Sequence, residues 1–209
     1  MKTLLLVTSV LFSTIIQAEI VTEPHIMPDG TISWEQPDST GWFGYEGYCG
    51  QTAAANISSM LRVSISPEEV NQTCYDVTPG SLPRTLARFL TNDLQVPWQV
   101  YHLYSHEAFA KLRMALHNGS LQAANGLAPV AMLIKVKGVK AYHWITIVDI
   151  TDDDGVIFNE HGKQKYMTKK DLLPLWGFHG DYKPWLATLS DFGITPYTIV
   201  SQNFEFNSL

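Results

Sequence analysis

The apolar residues of this chain change their spacing near Pro129, and this change constrains the fold more than any other feature. Before Pro129, apolar side chains repeat at three and four residues, which is typical of amphipathic helices. After Pro129 come short runs rich in β-branched and aromatic residues: VAMLIKVK, YHWITIVDI, GVIFNE, KQKYMT and PYTIVSQNF. A helical half followed by a half of antiparallel strands predicts an α+β domain.

Spacing and cap residues predict four helices in the N-terminal half. The second is the best marked, because Ser66 is a cap residue, Pro67 suits the first helical position and Glu69 completes a capping box. The expected bounds are 49–61, 67–74, 81–90 and 105–118. One short strand is expected at 31–34, within an otherwise irregular lead-in.

The N-terminus has the pattern of a secretory signal. One positive charge precedes an apolar run over residues 4–16, and Gln17-Ala18 follows it. The apolar run is too short for a membrane span, and no later apolar segment of about 20 residues follows. We therefore expect residues 1–18 to be a signal peptide, residues 19–209 to form one domain, and the mature protein to be secreted or periplasmic.

Charge and motif spacing argue against several classes of partner. The net charge of -6 is spread over mixed acidic and basic residues, with no basic stripe for a nucleic acid. The segment HLYSHE lacks the His-Glu-x-x-His spacing of zinc peptidases, and three consecutive aspartates at 152–154 lack the alternation of a calcium loop. The sequence indicates no metal and no cofactor.

One of the two cysteines, Cys49, lies where the glycine-rich loop GYEGY becomes the helix CGQTAAANISSML. The partial positive charge of a helix N-terminus favours a thiolate, and its N–H groups can stabilise an oxyanion. Three interpretations of Cys49 remain open: a nucleophile, a buried inert thiol, or half of a disulfide with Cys74 in an oxidising compartment.

A cysteine nucleophile needs a base, and the base needs an orienting partner. His143 stands within the strand AYHWITIVDI, where a titratable side chain is costly without a partner. A hairpin with its tip at 152–155 could bring Asn159 beside His143, so that Asn159 accepts from one ring nitrogen while the other faces Cys49. Taken singly, His143 and Asn159 also have structural interpretations, as a core histidine and a strand-end asparagine.

These segments resemble papain-like cysteine peptidases and are similar to their bacteriocin-leader-peptidase branch. The resemblance is carried by GYCGQTAAANISSML, TPGSLPRTLARFL, AYHWITIVDI and DDDGVIFNEHG, from about Gly47 to Gly162. It implies a papain-like fold whose nucleophile helix packs against a C-terminal antiparallel sheet. It also implies that Cys49 is the nucleophile, His143 the general base and acid, and Asn159 the orienting residue.

The chain departs from the family pattern at two positions. Family members usually carry a glutamine about six residues before the cysteine, whereas this chain has Phe43 there. The nearest upstream glutamine is Gln36, which can complete the oxyanion hole only if residues 37–48 fold back. The orienting position reads Asn159-Glu160, where this branch commonly has Asp-Pro.

The sequence thus predicts a secreted cysteine peptidase or amidase that hydrolyses a peptide or protein substrate through Cys49, His143, Asn159 and Gln36. One alternative keeps the triad and changes the target, to peptidoglycan peptides, glutamine deamidation or acyl transfer. Another is a disulfide-stapled binding module or an inactive homologue. The sequence does not indicate an oligomeric state.

Overall fold

The computed structural model describes residues 22–37, 47–61, 63–73, 83–102, 108–136, 142–176 and 197–201. These residues contain five helices and eight strands. In chain order they are β1 (Pro24–Ile26), β2 (Ile32–Trp34), α1 (Cys49–Leu61), α2 (Pro67–Thr73), α3 (Pro83–Leu94), β3 (Trp98–His102), α4 (Ala108–Asn118), β4 (Val130–Lys135), β5 (Tyr142–Ile150), β6 (Val156–Glu160), β7 (Lys163–Met167), α5 (Lys169–Leu175) and β8 (Tyr197–Ser201).

Six of the strands form one antiparallel sheet in the order β3-β8-β4-β5-β6-β7. The strands β1 and β2 form a separate antiparallel pair. This mixture of helices and antiparallel sheets confirms the α+β class expected from the sequence.

Helices cover both faces of the six-stranded sheet. Alternate residues of a strand point to opposite faces, and β4 illustrates this: Leu133 packs into one buried cluster and Met132 into the other. The first cluster contains the apolar side chains of α1 and α3, and the second contains those of α4 and α5. The core therefore has two layers, with α1 on one face of the sheet.

Polar bonds fix α1 in register with the strands around it. Residues 49–58 are all buried, so the polar side chains among them need partners. Asn56 Oδ1 accepts from the backbone N–H of Trp34 at 2.7 Å, and Asn56 Nδ2 donates to Thr146 Oγ1 at 3.2 Å. These two bonds tie α1 to β2 and to β5.

Most local predictions agree with the structure within a few residues. The capping box is present: the backbone N–H of Ser66 donates to Glu69 Oε2 at 2.8 Å, and that of Glu69 donates to Ser66 Oγ at 3.2 Å. The five strands expected after Pro129 and the short one expected at 31–34 are present. The turn at 152–155 closes with a bond from Thr151 N to Gly155 O of 2.9 Å. The third helix extends to Leu94, beyond its expected end.

Three elements were not predicted: β1, β3 and α5. Pro174 lies inside α5, and a proline in a short segment indicates a break rather than a helix. Thr168 nevertheless caps this helix, because its Oγ1 accepts from the backbone N–H of Asp171 at 3.2 Å.

Residues 1–21, which include the predicted signal peptide, lie outside the described residues. Within the ranges given above, no helix combines the length and apolar character needed to cross a membrane.

Candidate active site

Cys49 is the first residue of α1, its thiol is free, and the residue is only 7% exposed. The first backbone hydrogen bond of the helix runs from Thr52 N to Tyr48 O at 2.8 Å. The N–H groups of residues 49–51 therefore come before the first hydrogen bond of the helix. The thiol therefore lies at the positive end of the helix. Cys49 is not in a disulfide in this structure, and Cys74, the partner considered from the sequence, lies outside the described residues.

The thiol of Cys49 and the imidazole of His143 lie within hydrogen-bonding reach of each other. The bond between Asn56 and Thr146 sets the level along β5 at which Cys49 lies. Asn56 follows Cys49 by seven helical residues, about 10 Å, and Thr146 follows His143 by three strand residues, also about 10 Å. Fixing Asn56 against Thr146 therefore brings Cys49 to the start of β5.

On its other side, His143 is paired with a carboxylate. His143 Nε2 lies 2.5 Å from Glu160 Oε1, and the two side chains are 15% and 16% exposed. The contact is a close ion pair. This pairing leaves Nδ1 as the ring nitrogen available to Cys49, and the limited contact with water strengthens the attraction.

The structure corrects the expected position of Asn159, which does not lie beside His143. A β-bulge between Ile147 and Asp149 shifts the register of β5 against β6 by one residue, so that Asn159 pairs with Thr146. Thr146 and His143 point to opposite faces of β5. The shift therefore turns Asn159 away from His143 and places Glu160 on the face of His143.

Asn159 instead joins the small sheet to the large one. Its side chain is 1% exposed, and Nδ2 donates to Thr31 Oγ1 at 2.8 Å and to the Ile32 carbonyl at 3.0 Å. Its Oδ1 accepts from Gln164 Nε2 at 3.3 Å. These bonds satisfy the buried amide, which therefore has a structural role.

The pKa values of His143 and Glu160 shift in opposite directions. Burial by itself lowers the pKa of His143, but hydrogen bonding and charge from Cys49 and Glu160 outweigh it and raise that pKa to about 9. Burial by itself raises the pKa of Glu160, but His143 and Lys165 outweigh it and lower that pKa to about 2. Lys165 Nζ lies 2.6 Å from Glu160 Oε2. His143 and Glu160 are therefore both charged at neutral pH.

Gln36, the residue expected to complete the oxyanion hole, is half-buried and lies two residues after Trp34. The backbone of Trp34 bonds both to α1, through Asn56, and to the β6–β7 turn, since the Gly162 N–H donates to the Trp34 carbonyl at 2.8 Å. Trp34, two residues before Gln36, therefore lies beside the β6–β7 turn. Residues 38–46 lie outside the described residues, so the role of Gln36 in an oxyanion hole stays a prediction.

Sequence reasoning missed Glu160 and His161. The signal that was available is the order Glu160-His161-Gly162-Lys163, which is typical of a two-residue hairpin turn flanked by oppositely charged residues. Such a turn brings the residues on both sides of it to the end of the sheet, where β5 begins.

His143, Glu160 and His161 form a group that can hold a metal ion, because their ligand atoms lie within 4.8 Å of one another. The rings of His143 and His161 are stacked, however, with an interplanar angle of 14° and centroids 5.5 Å apart. An imidazole binds a metal in the plane of its ring, so two parallel stacked rings suit a shared ion poorly. The arrangement favours proton transfer over metal binding.

No family model matches the chain, and no curated protein matches it. The function proposed below is therefore based on the sequence motifs and the geometry of the site.

Proposed function

We propose that this chain is a cysteine hydrolase of papain-like type that cleaves amide bonds in peptides. Cys49 is the nucleophile, His143 transfers the proton, and Glu160 orients His143 and keeps it charged. The observation that carries this proposal is the contact of the Cys49 thiol with His143, whose other nitrogen is paired with Glu160. A thiol, an imidazole and an orienting acceptor in series are the parts that nucleophilic catalysis requires.

In the first half of the reaction, the Cys49 thiolate attacks the carbonyl carbon of an amide, and a C–S bond forms. The carbonyl electron pair moves to oxygen and gives a tetrahedral oxyanion. When this intermediate collapses, the C–N bond breaks and the imidazolium of His143 gives its proton to the departing amine. The products are a free amine and a thioester on Cys49.

In the second half, His143 is neutral and takes a proton from a water molecule that attacks the thioester. A carboxylic acid is formed, the C–S bond breaks, and Cys49 returns as a thiolate beside the imidazolium. Glu160 stays charged throughout, and its role is to hold the ring with Nδ1 toward Cys49.

The backbone amide of Cys49 is the first candidate donor to the oxyanion, because it lies at the start of α1 before the first helical bond. Gln36 is the second candidate, and its nearness to Trp34 and the β6–β7 turn supports this role. Donors of this kind contribute about 10²- to 10³-fold each when they are well placed.

The papain-like part of the proposal is supported by the order of the elements. The cysteine lies at the start of a buried helix, the histidine near the start of a strand in an antiparallel sheet, and the orienting residue in the next strand. This is the order that the resemblance implied, with Glu160 in place of Asn159. A cleavable signal and an acidic chain suit a substrate outside the cytoplasm, namely exported peptides and proteins or peptidoglycan peptides.

The test is a hydrolysis assay on the wild-type chain and two cysteine variants. Denatured protein and purified peptidoglycan are each incubated with enzyme, and mass spectrometry reports new termini, deamidated glutamine and acyl transfer. Cys49→Ala should abolish turnover with its fold intact, because it removes the nucleophile. Cys74→Ala is the matched control and should keep turnover. Full activity in Cys49→Ala would exclude the proposed mechanism.

A further inference from the structure

The ring of His161 is stacked nearly parallel to the ring of His143. The two ring centroids are 5.5 Å apart and the planes differ by 14°. His161 Nε2 also lies 3.6 Å from Glu160 Oε1, the same oxygen that pairs with His143. Nothing in the proposed chemistry uses this second imidazole, although it touches both partners of the ion pair.

The turn after β6 gives His161 this position. Glu160 pairs with Lys163, so His161 and Gly162 are the central residues of a two-residue turn. Both have positive φ, 50° and 70°, as a type I′ turn requires. Glycine, asparagine and aspartate are the usual residues in such turns, and the left-handed region is costly for most others. Histidine tolerates this region better than most residues, so the turn holds the His161 ring at the end of the sheet at little backbone cost.

His161 is more exposed to solvent than the ion pair that it adjoins. Its side chain is 37% exposed, whereas those of His143 and Glu160 are 15% and 16% exposed. A planar ring over the pair limits the access of water and so strengthens the attraction between imidazolium and carboxylate. It also restricts rotation of the His143 ring about its bond to Cβ.

We infer that His161 is a positioning residue for His143: its ring holds the His143 imidazole in the plane in which one nitrogen faces Cys49 and the other faces Glu160. This inference rests on the cysteine hydrolase mechanism proposed above. It assigns to His161 a role through His143 alone, without contact to the substrate.

The test compares His161→Phe with His161→Ala. Both replacements place a side chain other than glycine at the same positive φ, so the backbone cost is similar, but only phenylalanine keeps an aromatic face. The measurements are kcat, KM, the rate of Cys49 alkylation at pH 6, and thermal unfolding. If His161→Ala does not fold, His161→Asn replaces it, because asparagine tolerates positive φ and has no ring.

We expect His161→Ala or His161→Asn to lower kcat and the alkylation rate by about threefold to tenfold, the range for loss of an aromatic stacking contact, with KM nearly unchanged. His161→Phe should restore both rates to within about twofold. Equal rates in wild type and His161→Ala, or no rescue by phenylalanine, would overturn the inference. If wild-type Cys49 showed neither turnover nor labelling dependent on His143, the hydrolase proposal itself would fail.

Discussion

Glu160 Oε1 lies 2.5 Å from His143 Nε2. This contact is possible because β5 contains one extra residue, a β-bulge, opposite β6. Beyond the bulge near Val148, β5 and β6 pair as Asp149 with Ile157. Extended without a bulge, that register would place Asn159 opposite Ile147, on the face of His143. The bulge moves Asn159 to the other face and turns Glu160 toward the imidazole.

The variant Glu160→Gln should lower the pKa of His143 from about 9 toward its ordinary value of 6.5, because the charge of the partner is lost while its size is kept. At a pKa of 6.5 only about a quarter of the His143 rings would be charged at pH 7, so we expect turnover at neutral pH to fall by up to about fourfold. NMR titration of the His143 ring protons measures the pKa directly.

The control for Glu160→Gln is Glu35→Gln, which makes the same change in an exposed pair, since His25 Nε2 lies 3.2 Å from Glu35 Oε1. An exposed charge is screened by water and salt, so the titration of His143 should not change in this variant. A His143 titration curve that is the same in Glu160→Gln and wild type would show that Glu160 does not hold the imidazolium.

The variant Asn159→Ala should reduce the free energy of unfolding by about 1–3 kcal/mol, because it removes the bonds to Thr31 and Ile32 in a buried region. Cys49 should still react at the wild-type rate. Urea unfolding and alkylation kinetics on the same sample measure both effects. Loss of Cys49 reactivity at unchanged stability would instead support Asn159 as the orienting residue.

The sequence predicted those parts of the fold that depend on local spacing. The capping box at Ser66, the turn at 152–155 and the strand around His143 all follow from residue types at short separations. The contact between Cys49 and His143 was predicted as well, because a nucleophile and a base must meet. The bulge in β5 was not predictable, because no glycine or proline marks it and tertiary packing decides where an extra residue is placed.

The same limit explains the missed strands. Both β1 and β3 are short, and β3 pairs with β8, about a hundred residues later in the chain. Pairing over such a separation leaves no local signal beyond alternation of side chains, which Trp98 and Val100 show only briefly.

The variant Thr146→Val should lower both the stability of the protein and the reactivity of Cys49, although Thr146 is not part of the catalytic group. It removes the hydroxyl that accepts from Asn56 Nδ2 and leaves that buried donor without its acceptor, at a cost of about 1–3 kcal/mol. Because this bond sets α1 against β5, we also expect slower alkylation of Cys49. Urea unfolding measures the first effect and labelling kinetics the second.

The matched control is Thr198→Val, at another buried threonine in the same sheet. Among the residues that the structure describes, Thr198 Oγ1 has no hydrogen-bond partner. The same substitution should therefore be neutral or slightly stabilising there. Equal destabilisation by the two valine variants would mean that the Asn56–Thr146 bond contributes nothing specific.

The ion pair also predicts how stability depends on pH. The raised pKa of His143 contributes stability that is fully present below about pH 6.5 and is lost as pH rises through about 9. The lowered pKa of Glu160 contributes stability that is present above about pH 4.5 and is lost as pH falls through about 2. Stability from this pair should therefore be greatest between about pH 4.5 and 6.5.

Urea unfolding of wild type and His143→Ala between pH 5 and 9 tests this dependence. Cys49, Glu160, His161 and Lys165 surround His143 and are kept in both chains. From pH 6 to 9 the wild type should lose on the order of 1–3 kcal/mol more than the variant. A smaller loss in the wild type would contradict the raised pKa of His143.

The most direct test of the central claim is the rate at which iodoacetamide alkylates Cys49 as a function of pH, in a Cys74→Ser background with and without His143→Ala. If His143 holds Cys49 as a thiolate, labelling should stay fast well below about pH 7 and should slow sharply in the variant. If Cys49 is instead alkylated in both proteins only as an ordinary thiol is, with a rate that rises around pH 8.5, Cys49 and His143 are not a catalytic pair.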